Sequence, residues 1–134
     1  MTLATINYVI LRTTNLGFDE AIEAVTAAFA KEGFGILAEI DGQATLKKKL
    51  DIGHPKNLIP GACNPNLANN VLNAEPRAGL LLLCNIVIQE FGGVTQVAFM
   101  DPEVIRREIQ NSTIADTACD AKDRLTRVSN SIPE

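Results

Sequence analysis

The stretch "GLLLLCNIVIQEFGGVTQVAFM", residues 79–100, decides the fold. Its first part is apolar on both alternating faces. That pattern predicts a strand over 79–91 that is central, or covered by helices on one side and by a partner on the other. Gly92-Gly93 is a tight-hairpin signal, since the favoured two-residue turns need positive φ. "VTQVAFM" (94–100) is then the returning strand, and the pair must be antiparallel.

Upstream, "KNLIPGAC" (56–63) predicts a strand in which Pro60 and Gly61 mark an edge or a bulge. Asn64 and Pro65 open a helix, because Asn is a favoured N-cap and Pro suits the first helical position. Leu67, Ala68, Val71 and Leu72 face inward, and Pro76 stops the helix. "TINYVILRTT" (5–14) predicts a strand. "DEAIEAVTAAFAKEG" predicts a helix capped by Asp19, ended by Gly33 and striped with Ile22, Val25 and Phe29. "FGILAEI" (34–40) predicts another strand. A short helix, "GQATLKKKL", follows Asp41 and is expected to be anchored by Leu46 and Leu50.

Downstream, Asp101-Pro102 repeats the cap-plus-proline device and starts "EVIRREI". From Ser112 onward, Ile114, Ala118, Ala121, Leu125, Val128 and Ile132 recur at steps of four and three, the spacing of a helix with one apolar seam. The order is β-α-β-α-β-α-β-β-α-α, and the expected class is α+β, a sheet covered on one face by helices.

The 134 residues suit a single domain, 1–134. The 46% hydrophobic content supports a core without disulfides or metal, and with 4% aromatics and no Trp that core must be aliphatic. A net charge of −4 supplies no phosphate-neutralising surface, so nucleic acid is not an expected partner. Lys47, Lys48 and Lys49 read as a solvated face. The N-terminus lacks the basic segment and cleavage site of a signal peptide, and no apolar run approaches the ~20 residues of a membrane helix. The expectation is a soluble, cytoplasmic protein without a membrane partner. Three cysteines without finger spacing read as thiols of a reducing compartment.

Two Cys-Asn pairs carry the candidate chemistry. Cys63 ends a strand just before a helix N-terminus, a position that favours thiolate, so it is expected to react faster than Cys119. Cys84 lies in the next strand, where the two thiols could approach if the strands are neighbours. Asn64 and Asn85 would supply hydrogen bonds to a redox-responsive or persulfide-carrying sulfur. The competing reading is buried cysteine, a capping Asn64 and an Asn85 that satisfies nearby backbone. Cys119 reads as packing. Cys63, Cys84 and the lone His54 are zinc or copper ligands in kind, but no pair has chelating spacing, so no metal is expected. Glu39 and Asp41 share a strand face and could pair as acid and base, unless Asp41 caps the second helix. No G-x-S-x-G, G-x-G-x-x-G or phosphate loop is present, and no cofactor is expected.

The elements "GFGILAEID", "GACNPNLANNVLNAEPRAGLLLLCNIVI" and "MDP" together resemble the bacterial and archaeal domain-of-unknown-function family 302, from Phe18 to the last helix. Leu83 stands where that family usually has proline. The resemblance implies a curved antiparallel sheet similar to the TATA-binding-protein type of fold, often a homodimer, and no established activity. The expected function is a small cytoplasmic, homodimeric ligand-binding or sensing domain. Its site would gather Asn64, Cys84, Asn85, Glu39 and His54 about Cys63. The alternatives are a thiol or sulfur-chemistry enzyme with Cys63 as nucleophile, and a structural interaction module.

Overall fold

A computed structural model describes residues 7–81 and 84–134, with Cys84 given by its backbone alone. The elements are β1 (Val9–Thr14), α1 (Phe18–Lys31), β2 (Gly35–Asp41), α2 (Gly42–Leu50), β3 (Asn57–Cys63), α3 (Pro65–Ala74), a 3-10 turn (Pro76–Leu81), β4 (Cys84–Phe91), β5 (Val94–Met100), α4 (Glu103–Glu108) and α5 (Ser112–Ser131). The strands form one open sheet in the order β1-β5-β4-β3-β2, every pair antiparallel. This is the expected α+β order with helices on one face.

The hairpin sits at the centre of the sheet. Gly92 and Gly93 have φ of 56° and 81°, which lets Phe91 pair directly with Val94. Ile86, Ile88, Val97 and Phe99 on these two strands are buried against Val25 and Phe29 of α1 and Leu125 and Val128 of α5. The Phe29 ring meets Phe34 and Phe99 edge-on, with centroids 5.3 and 5.8 Å apart. All six residues of the α5 seam read from the sequence are buried. A second cluster of Val71, Ala78, Ile105 and Ile114 closes the end of the helical layer.

Four local expectations are corrected. The strand expected over 79–91 begins only at Cys84, because Pro76–Leu81 coils as a 3-10 turn. That turn buries Ala78 in the second cluster and leaves Leu80 91% exposed. Leu82 and Leu83 lie outside the described residues, as do Thr5 and Ile6 of the expected first strand. Helix α1 starts two residues earlier than expected, with Gly17 rather than Asp19 at the N-cap; Glu20 Oε1 accepts from the Gly17 N–H at 3.3 Å, and Asp19 lies in the first turn.

The third correction concerns α2, of which no residue is buried; Leu50 is exposed and Leu46 half-buried. β2 and β3 are antiparallel neighbours, so their connection need not cross the sheet. The helix is an excursion held by its cap, Asp41 Oδ1 accepting from Ala44 N–H at 2.9 Å, and by Gln43 Nε2 donating to the His54 carbonyl at 3.0 Å. The fourth is Cys119, expected to pack and found exposed. One residue beyond buried Ala118, it is turned about 100° away from the seam.

Candidate functional site

The end of β3 and the start of α3 are fixed by Asn64. Its backbone is extended, its Oδ1 accepts from the Leu67 N–H at 3.3 Å, and Pro65 occupies the first helical position. The capping role read from the sequence is the one observed. The same side chain is buried, and its Nδ2 donates to the Glu32 carbonyl at 3.1 Å.

Glu32 lies where α1 ends. Gly33, at φ 81°, donates to the Ala30 carbonyl, and Phe34 reaches back to the Phe29 carbonyl at 2.9 Å, a Schellman closure. The Glu32 carbonyl also accepts from Arg124 Nη1 at 2.8 Å. The Glu32 carboxylate receives two donors from Arg127, with Nη2 to Oε1 at 2.8 Å and Nε at 3.1 Å. That hydrogen bond, with the nearby guanidinium charges, holds the Glu32 carboxyl below its ordinary value. One residue thus ties together the end of α1, the start of α3 and the second half of α5. The sequence reading missed Glu32, Arg124 and Arg127, because no local spacing signals contacts across some 90 positions.

Beside this junction lies a recess. Cys63, Asn64, Leu67 and Val71 line one side, and Ile114 and Ala118 the other. Its volume is about 40 Å³, room for a few heavy atoms and far below the roughly 300–1,000 Å³ of a drug-sized pocket. None of its lining residues is charged. Its two hydrogen-bonding side chains other than the thiol are engaged: Asn64 as described, and Thr117 by donating to the Thr113 carbonyl at 2.9 Å.

The other sequence-derived candidates are placed as follows. The Cys84 backbone pairs with Ala62, next to half-buried Cys63. Asn85 is exposed opposite Gly61 and does not line the recess. Glu39 is exposed on edge strand β2, four positions from Gly35, the partner of Cys63; that is about 13 Å at strand rise. Asp41 caps α2. His54 lines a separate groove with Gln43, Lys47 and Ile52, and its Nδ1 lies 2.8 Å from the Pro55 carbonyl. The structure therefore brings Cys63 and Asn64 to one recess and leaves Glu39, Asn85 and His54 apart from it. Among the described residues, no group of three His, Cys, Asp or Glu is placed to hold a metal ion, and no helix is long and apolar enough to cross a membrane.

These features define an α+β protein with an open antiparallel sheet and one helical layer, closed at one end by a small apolar recess. The chain belongs to the family of the domain of unknown function DUF302, whose pattern matches residues 10–132. It is similar to a solved structure, the crystal structure of an uncharacterized conserved DUF302 protein from Bacillus stearothermophilus. The TM-score is 0.87 at 24% identity, covering 94% of this chain and 98% of that one. At that identity the likeness shows the fold. No curated protein matches the chain.

Proposed function

We propose that this protein is a small cytoplasmic ligand-binding or sensing domain. Its ligand presents a short, uncharged aliphatic group to the recess beside the Cys63-Asn64-Pro65 turn. The observation that carries this reading is an uncharged recess at a turn whose geometry is fixed by Asn64 from two sides. With the polar side chains engaged, selectivity in the recess rests on size and shape. A group of more than a few heavy atoms would have to spread α3 from α5.

The test is a methyl-resolved NMR titration with xenon and with short-chain aliphatic alcohols and amides. Saturable shifts are expected at the Ala118, Val71 and Leu67 methyls, together with a rise in the urea midpoint that follows ligand concentration. Ala118→Val fills the recess and should abolish both. Native-state alkylation adds a location marker: a bound ligand should slow labelling at Cys63 and leave exposed Cys119 unchanged. Shifts spread over the whole chain, or a midpoint rise that survives Ala118→Val, would defeat the reading.

A further inference from the structure

Strand β3 runs from Asn57 to Cys63, and the apolar recess lies at its Cys63 end. At its Asn57 end, about 20 Å away at strand rise, three elements meet around a second hollow. Phe18 and Asp19 come from the first turn of α1, and Asp41 from the end of β2. Lys56 precedes β3, and Asn57 and Leu58 open it. The hollow has a volume of about 200 Å³, five times that of the recess.

Its lining differs in kind from that of the recess. It carries one cation, Lys56, and two anions, Asp19 and Asp41. Among the described residues, none of the three forms an ion pair, with one another or with any other group. The fold nevertheless positions them. Asp41 lies opposite Leu58 in the β2–β3 register and gives Oδ1 to the α2 cap, leaving Oδ2. The Lys56 carbonyl accepts from the Glu90 N–H at 3.1 Å. Its ammonium stands 5.8 Å from the centroid of the Phe18 ring, whose face attracts a cation. Asn57 is seated closely on Gly42, where a Cβ would fall 2.6 Å from Asn57 Oδ1. Phe18 and Leu58 are half-buried and give the hollow an apolar floor.

We propose that this hollow binds a small α-amino acid as its zwitterion. Asp19 and Asp41 offer two carboxylates to an ammonium group, and Lys56 offers an ammonium to a carboxylate. A ligand with both charges satisfies both. An amine alone would bring positive charge towards Lys56, and a carboxylate alone would bring negative charge towards Asp19 and Asp41. The ligand backbone then lies over Phe18 and Leu58, with the Asn57 amide beside its polar groups. A hollow of this volume takes about six to ten heavy atoms, the size of serine and not of a large side chain. The inference is independent of the recess, which is uncharged and lies at the other end of β3.

Amide-resolved NMR titration of the full chain with L-serine tests this. Two probes accompany it: ethanolamine, which lacks the carboxylate, and glycerate, which lacks the ammonium. Serine should give saturable shifts at Phe18, Lys56 and Asn57 and leave Ala118 in the recess unmoved. Each probe should bind at least about tenfold more weakly, the worth of one charge-assisted hydrogen bond. Lys56→Met should weaken serine about tenfold and leave ethanolamine unchanged. Asp19→Asn should weaken serine and ethanolamine alike. Both side chains are exposed, so neither change disturbs the core. Equal affinity for serine and ethanolamine would reduce the hollow to a cation site and overturn the inference. Shifts centred on Ala118, undiminished serine binding by Lys56→Met, or no saturation at tens of millimolar serine would overturn it as well.

Discussion

The side-chain amide of Asn64 donates to the backbone carbonyl of Glu32 at 3.1 Å, across 32 positions of sequence. A single buried side chain therefore caps α3 and fastens it to the end of α1. The two functions reside on different atoms, since Oδ1 takes the Leu67 N–H and Nδ2 supplies the Glu32 carbonyl. Asn64→Asp keeps a capping oxygen and loses the donor; Asn64→Ala loses both. The cap alone is worth about 0.5–2 kcal/mol, and the second bond adds about 0.5–1.5 kcal/mol. In urea at neutral pH, Asn64→Ala should be the less stable of the two variants, with Asn64→Asp between it and wild type. Equal losses would place the whole effect on the Glu32 bond and remove the cap from the account.

The Glu32–Arg127 pair sets a pH dependence of definite sign. The hydrogen bond from Arg127 lowers the Glu32 carboxyl from its model-compound value of 4.5. A carboxyl more acidic in the folded chain than in the unfolded one stabilises the fold above the unfolded value. That stabilisation is lost as pH falls through the folded value. Arg127→Ala should therefore lower the urea midpoint at pH 7, and the gap to wild type should close as the solution is acidified below 4.5. Glu32→Gln should flatten the same portion of the wild-type profile. A gap between wild type and Arg127→Ala that persists undiminished at low pH would mean that Arg127 acts through packing of its stem and not through its charge.

The parts of the fold that were legible in the sequence are those written in local chemistry. The Gly92-Gly93 turn, the Asn64-Pro65 cap and the α5 seam each depend on residues within a few positions of one another, and each stands as read. The misreadings occur where tertiary context overrides the local pattern. Gly79, Leu80 and Leu81 are apolar enough for a strand, but the chain must turn back from α3 into the sheet, and Pro76–Leu81 does so as a 3-10 turn. Leu46 and Leu50 have helical spacing, but α2 buries neither of them: Leu46 is half-buried and Leu50 exposed. The recess was half legible. Cys63 and Asn64 are marked by strand-end and capping chemistry, whereas its opposite wall of Ile114 and Ala118 reads only as part of a seam. The Glu32, Arg124 and Arg127 junction had no local signature at all.

The central hairpin yields a prediction in which backbone conformation can be separated from packing. Gly92 and Gly93 both occupy the left-handed region, at φ 56° and 81°. A Cβ added at either would meet nothing within 4 Å. The Cβ of a substituent there therefore meets no steric contact, and backbone conformation is the leading effect of a substitution. At Gly33, by contrast, an added Cβ would come within 3.0 Å of Asn64 Nδ2, so conformation and contact would be mixed. Asparagine visits the left-handed region readily and a β-branched residue hardly at all. Gly92→Asn also narrows the unfolded ensemble, a gain of about 0.4–1 kcal/mol where the native angles are compatible. It should leave stability unchanged or slightly raised. Gly92→Val must either hold a strained φ, at about 1–3 kcal/mol, or open the turn and lose the Phe91–Val94 pairing. Its urea midpoint should fall well below that of Gly92→Asn, with the slope of the transition unaltered. Equal midpoints for the two variants would show that the turn in solution is not the left-handed pair, and the register of β4 against β5 would then need another origin.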